Sequence, residues 1–198
     1  MMRLSFCLFS ILFLCGWGFS CAPSRYLLSE SMQTASPEEA VQNAKNYLIN
    51  ESDWKIDCSH FVLACYHSGK INRFLKHQRG NHNLVQDLNG YLESQNTRRV
   101  HAADIRPGDI LIFNKTYDIN HDGHIDDKDL YTHTGIVEDY QNGLVTYIDA
   151  SDDRKPPRIH LRRFSFVDDK FNETVARDPA TGRKIHARET FHAAYAVH

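Results

Sequence analysis

The chain has 198 residues, 41% of them hydrophobic and 24% charged, with a formal net charge of −2. That length supports one compact domain with a real core and is too short for two. A charge so close to zero creates no field that would gather nucleic acid or anionic lipid, which argues against a polyanionic partner.

The chain opens as a targeting segment. Arg3 precedes an apolar run from Leu4 to Phe19, broken only by Ser5, Ser10 and glycines, and the run ends at Ser20-Cys21-Ala22-Pro23-Ser24. Such a run is marginal for a membrane span and ordinary for a signal peptide, so residues 1–20 are expected to direct export. The expected location is periplasmic, with membrane contact only through the signal or a lipid. Cys21 after a small residue resembles a bacterial lipobox, although Gly18 and Phe19 depart from it. Lipidation of Cys21, ordinary cleavage and an uncleaved anchor all stay open. Cys7 and Cys15 belong to the signal, leaving Cys21, Cys58 and Cys65. Cys58 and Cys65 are separated by about 10 Å of helical rise, beyond disulfide reach. With Cys21 lipidated and Cys65 in the core, Cys58 is the thiol left for chemistry.

Residues 21–35 read as a polar tether and 36–198 as one domain. Ser36-Pro37-Glu38-Glu39 is a helix start with a capping box, continued to about Ile49 by Ala40, Val41, Ala44, Tyr47 and Leu48. A second helix is expected from Asp57 or Cys58 to near Gly69, with Phe61, Val62, Cys65 and Tyr66 buried, and a third from Leu84 to Glu93. From Asp104 the period changes. Ile105-Arg106-Pro107-Gly108-Asp109 is turn chemistry, and Ile110 to Phe113 is a short buried strand. Thr132–Asp139 and Leu144–Asp149 are strands joined by the hairpin signal Asn142-Gly143, with further strands at Arg158–Phe164 and Thr190–Val197. Helices followed by an antiparallel sheet make an α+β layout.

Asp57-Cys58-Ser59-His60-Phe61-Val62 sets a cysteine at a helix start, where unpaired N–H groups and the helix dipole favour a thiolate. A buried structural cysteine with Asp57 as a simple cap is at least as common a meaning of that pattern. Thr132-His133-Thr134-Gly135-Ile136-Val137 sets a histidine at a strand start. Alone, it reads as a satisfied structural group. Together, a helix-borne thiol and a strand-borne imidazole form the pair that nucleophilic catalysis requires.

Three blocks, Asp57-Cys58-Ser59-x-Phe61-Val62, Arg106 to Phe113, and His133-x-Gly135-Ile136-Val137 leading to Tyr147-Ile148-Asp149-Ala150-Ser151, resemble the bacterial cell-wall cysteine peptidases of the NlpC type and the related CHAP amidases. The resemblance implies a papain-like fold with N-terminal helices packed on an antiparallel sheet. It further implies Cys58 as nucleophile, His133 as base, peptidoglycan peptide as partner and its amide bonds as substrate. His60 replaces the usual glycine, and Asp53-Trp54-Lys55-Ile56 stands where Gly-Gly is common; both changes are expected to line the cleft.

By the same block the group that fixes the imidazole is Asp149, with Asp152 or a backbone carbonyl as alternatives. A strict two-residue Asn142-Gly143 turn would set Asp149 opposite Ile136, on the wrong face. A glycine bulge at Gly143 would shift the register and bring it to the face of His133.

Asp118 to Asp129 matches the D-x-[DN]-x-[DN]-G calcium loop, with Asp118, Asn120, Asp122, His124, Asp126 and Asp129 as the candidate calcium positions. Asp at position twelve resembles dockerin-like loops. The flanks read as strands, so the ion would be structural, bracing the strand that carries His133. Zinc on His121, His124 and His133 fits poorly, because the oxygens around them favour a hard cation. Arg154, Lys155, Arg158, Arg162 and Arg163 could hold substrate carboxylates, but a solvated edge strand explains them more simply. The expected function is hydrolysis of stem-peptide amides by an exported monomer. A calcium-stiffened binding module without catalysis and an acyltransferase on the same fold are the competing readings.

Overall fold

The computed structural model describes residues 34–50, 56–66, 83–151 and 158–197. The export signal, Cys21, nearly all of the tether, Asp53-Trp54-Lys55, the expected helix end at Gly69, Asp152, Arg154 and Lys155 lie outside those residues.

Helix α1 runs Pro37–Ile49. The Ser36 hydroxyl accepts the Glu39 amide at 3.2 Å and the Glu39 carboxylate accepts the Ser36 amide at 2.8 Å, closing the expected capping box. Helix α2, Cys58–Tyr66, has the anticipated buried residues Phe61, Val62, Cys65 and Tyr66, together with Leu63. Helix α3, Leu84–Ser94, is capped by Asn83, whose Oδ1 accepts the Val85 and Gln86 amides.

Five strands form an antiparallel sheet: β1 Ile110–Phe113, β2 His133–Gln141, β3 Leu144–Ser151, β4 Arg158–Ser165 and β7 Phe191–Tyr195, in the order β4-β3-β2-β1-β7. One face carries Ile110, Ile112, Ile136, Ile148 and Ala150 against the helices. The other carries Leu111, Phe113, Val137, Val145, Tyr147 and Phe164 in a second, aromatic-rich core. Both faces of the central strands are therefore buried, which is why β1 reads as an unbroken apolar run. The layout is the α+β architecture expected from the order of the elements.

A two-stranded sheet of β5, Thr174–Arg177, and β6, Lys184–His186, and a one-turn helix α4, Ala187–Thr190, were not anticipated. These segments are short and largely exposed, so they carry no apolar period to read. Because α4 ends at Thr190, the last strand starts one residue later than expected.

The register of β2 on β3 differs from expectation in an instructive way. Asn142 and Gly143 both adopt positive φ, 51° and 84°, and Gln141 pairs directly with Leu144, so the turn is a strict two-residue hairpin. The extra residue is Glu138: Val137 pairs with Tyr147 and Asp139 with Thr146. The bulge thus lies in β2, not at Gly143. Without it, Glu138 would face Tyr147 in the aromatic core and Ile136 would face Asp149. With it, Ile136 meets Ile148, and the Glu138 carboxylate reaches Lys45 of α1 at 2.7 Å.

The turn before β1 joins the layers. Gly108, at φ 89°, leaves no space for a side chain: a Cβ would lie 2.4 Å from Pro37 Cβ. Its N–H donates to Val137 O and its carbonyl accepts the Tyr66 hydroxyl. Buried Asp109 accepts both the Nε and Nη2 of Arg99 at 2.8 Å and the Arg106 amide at 2.8 Å. Gly108→Ala is expected to lower unfolding free energy by about 1–3 kcal/mol through overpacking and backbone strain. Gly90→Ala, in the interior of α3 with open space around it, is expected to raise it by about 0.5–1 kcal/mol. Urea unfolding of the two variants checks both signs.

Candidate active site

Asp57 starts α2. Its Oδ1 accepts the His60 amide at 2.9 Å and the Ser59 hydroxyl at 2.7 Å, and its backbone carbonyl accepts the Phe61 amide. Burial presses the Asp57 carboxyl upward. The His60 amide, the Ser59 hydroxyl and the His60 imidazole outweigh it and hold the pKa below the usual carboxylate value. Cys58 therefore occupies the first position of a well-capped helix, where N–H groups point outward. His60 is exposed, its Nδ1 2.6 Å from Asp57 Oδ2, and it does not line the cleft, contrary to expectation. The helix needs a polar cap at that end, and His60 lies on the solvent side to brace it. Cys65 is a buried free thiol whose pKa burial pushes well up, so it is inert in the folded chain.

His133 is the first residue of β2, and Asp149 lies near the end of β3, opposite Gly135. A residue shares a strand face with its neighbour two along, so Asp149 comes to the face of His133. Gly135 makes the approach possible: a Cβ there would lie 3.0 Å from Ile148 O and Tyr147 Cδ2 and 3.3 Å from Asp149 Cβ. His133 Nε2 is 2.8 Å from Asp149 Oδ2. Asp149 is fully buried. Burial favours its neutral form, but His133, then Arg162 and His160, hold its pKa below the usual value. An ionised carboxylate only accepts, so Nε2 carries the proton and Nδ1 remains for the thiol.

Cys58 acts on His133 both as a charge and as a hydrogen-bond partner. Burial disfavours the charged ring; Cys58 and Asp149 outweigh it and push the His133 pKa up to about 10. Cys58, His133 and Asp149 line one cleft of about 500 Å³. Thr116 and Tyr117 of the β1–β2 loop form part of its wall, and Arg162 and Val175 form another part. Burial and the neighbouring Cys58 raise the Tyr117 hydroxyl above its usual value, so it stays protonated beside the thiol.

Sequence reasoning missed Tyr117, Val175 and the position of Arg162. Arg162 is on the sheet's edge strand, but it is not solvated as expected: its Nε is 3.1 Å and 3.3 Å from the two Asp149 oxygens. Alternation along Arg158–Ser165 could have separated Arg162 from Arg163, which points out to Glu173 at 3.3 Å.

The β1–β2 loop carries the calcium-type motif. Asp118 accepts the Asp122 and Gly123 amides, Asn120 accepts the Asp122 amide, and Asp122 accepts the His124 amide. The chain turns through positive φ at His121, 58°, and Gly123, 90°. Asp126 accepts the Lys128 amide, and Lys128 Nζ lies 3.1 Å from Asp122 and 3.5 Å from Asp126. Buried Asp129 closes the loop base by accepting the Ile119 and Asp126 amides at 2.9 Å. The side chains of His121 and His124 are exposed. Among the described residues no three His, Cys, Asp or Glu side chains converge as a metal set. The oxygen donors of Asp118, Asn120 and Asp122 suit a hard cation in kind.

The CHAP domain model matches residues 47–151, more than half of the chain, and covers Cys58, His133 and Asp149. The chain belongs to the CHAP family. CHAP domains are generally peptidoglycan hydrolases of amidase or peptidase type that act on the cell wall, in agreement with the resemblance read from the sequence. Neither a curated protein nor a solved structure matches the chain. The family match stops at the last residue of β3, so β4 to β7 lie beyond it.

A folded pKa above the unfolded value of about 6.5 means that protonated His133 adds stability. That contribution is complete below pH of about 6.5 and is lost as pH climbs toward 10. In ring-resonance titrations His133 is expected to hold its proton far above neutrality, and Cys58→Ala is expected to bring its midpoint down.

Proposed function

We propose that this CHAP domain hydrolyses amide bonds of peptidoglycan stem peptides with Cys58 as nucleophile, His133 as acid–base and Asp149 as the group that orients the imidazole. One observation carries the reading: the three side chains line a single cleft, with His133 bonded to Asp149 at 2.8 Å and interacting with Cys58 as well. In the first step Cys58 Sγ attacks the scissile carbonyl carbon, and the C–N bond breaks as the His133 imidazolium donates its proton to the departing amine. A thioester remains. Neutral His133 then takes a proton from water, which attacks the thioester; the acid leaves and Cys58 is restored. The apolar run after Arg3 supports export, and the matched family supports action in the periplasm or outside the cell.

Incubated with peptidoglycan sacculi, the full chain is expected to release new amino groups. Cys58→Ala abolishes release, and His133→Ala lowers it by about 10²–10⁴-fold, the usual range for a lost acid–base. Binding of sacculi without release in the native chain overturns the hydrolase reading and favours a binding module. Release only when an added amine acceptor is supplied favours the acyltransferase.

We further propose that the 118–129 loop takes calcium through Asp118, Asn120, Asp122, Asp126 and Asp129, with the backbone of His124 at the seventh position. The order of oxygen donors about the left-handed Gly123 supports this. A cation there would compete with Lys128 for Asp122 and Asp126, and would stiffen the loop that supplies Thr116 and Tyr117 to the cleft. Calcium is expected to raise the unfolding temperature reversibly with a chelator, and Asp118→Ala is expected to remove that response; a calcium response that persists in Asp118→Ala excludes this loop.

A further inference from the structure

The matched family segment ends at Ser151, yet the counter-ion of Asp149 comes from beyond it. Arg162 pairs across the sheet with Tyr147 and reaches diagonally to Asp149. Its Nε donates to Oδ2 at 3.1 Å and Oδ1 at 3.3 Å, and its Nη1 to the Thr174 carbonyl of β5 at 3.3 Å. Nη2 lies 3.5 Å from Ser151 Oγ. The guanidinium is thus held by a β5 carbonyl and the Ser151 hydroxyl as well as by the carboxylate it grips, and only 13% of its side chain is exposed.

Asp149 needs such a partner. Its Oδ2 accepts from His133 Nε2, which fixes the ring. That bond alone would leave the other oxygen of a wholly buried carboxylate unmatched, and the carboxyl could take up a proton or turn away. With Arg162 on both oxygens, the carboxylate plane is set and Nε2–H has one acceptor. The other groups that act with Asp149 are His160 on β4 and Tyr147 on β3, and neither supplies a permanent positive charge; Glu173, ahead of β5, acts on Tyr147.

We infer that Arg162 is a positioning residue, contributed by the segment beyond the matched domain, that keeps Asp149 ionised and aimed at His133. It acts through Asp149 and not on the substrate. The inference rests on Cys58, His133 and Asp149 acting as one site.

The test measures how fast Cys58 of the full chain reacts with iodoacetamide across pH, a readout that needs no peptidoglycan. Arg162→Gln is expected to move the acid limb of the rate profile upward by about one pH unit, the smallest shift typical of losing an opposite charge. Arg162→Lys, which keeps the charge, should return most of that shift. In an Asp149→Asn background, Arg162→Gln should change nothing, and this double variant, lacking both buried charges, also serves if the single variant fails to fold. A profile for Arg162→Gln that superimposes on the native one overturns the inference, as does an equal shift in the Asp149→Asn background. Reactivity of Cys58 that ignores His133→Ala overturns the underlying site, and is distinguishable because it fails before Arg162 is touched.

Discussion

A carboxylate with no access to water governs much of this molecule. Burying an ion costs several kcal/mol unless it is paired and its lone pairs are filled. Asp149 is fully buried and meets that cost with His133 on one side and Arg162 on the other. The pairing depends on register: the single extra residue at Glu138 sets Asp149 opposite Gly135, and the missing Cβ there opens the path to the ring. Slip the strand by one and the same carboxylate would face Ile136 while Glu138 entered the aromatic core. Hydrophobic pairing of Ile136 with Ile148 and Val137 with Tyr147 therefore selects the arrangement that chemistry uses.

The nucleophile is positioned by a separate set of contacts. Asp57 caps α2, Phe61 and Val62 bury its face, and Tyr66 ties its far end to Gly108. Asn83 joins this side to the sheet: its Oδ1 caps α3 while its Nδ2 donates to the Leu130 and Tyr131 carbonyls, just before His133. Thr132, also buried, accepts the Thr116 amide and hydroxyl, fixing the cleft-wall loop to the residue beside the base. Two rigid frames, one of helices and one of sheet, thereby hold thiol and imidazole without loop closure at the moment of reaction.

Much of this was legible in the chain. Ser36-Pro37-Glu38-Glu39 announces its helix because capping is local chemistry, and Ile110 to Phe113 announces a strand buried on both faces. Cys58, His133 and Asp149 were identified from motif blocks, and the structure brings them into one cleft. What sequence could not supply were properties of pairing. The need for a register shift was visible in the mismatch between Ile136 and Asp149, but Gly143 seemed the natural bulge. Gly143 was instead consumed by the two-residue turn, where Asn142 and Gly143 both need positive φ. Arg162 looked like one of several surface cations, because its burial is created by β5, a strand too short and exposed to leave a period. His60 is expected in the cleft because it replaces the motif's usual glycine two residues after Cys58; helical geometry turns it to solvent.

The central claim is covalent chemistry at Cys58. Its most direct test is an acid quench of the full chain during turnover of a soluble stem-peptide fragment, followed by mass measurement of the Cys58 peptide. An adduct equal to the acyl half of the fragment is expected, labile to hydroxylamine and absent from Cys58→Ala and from Cys65. Cleavage at an undiminished rate by Cys58→Ala, with no adduct on the native chain at any time, would contradict it.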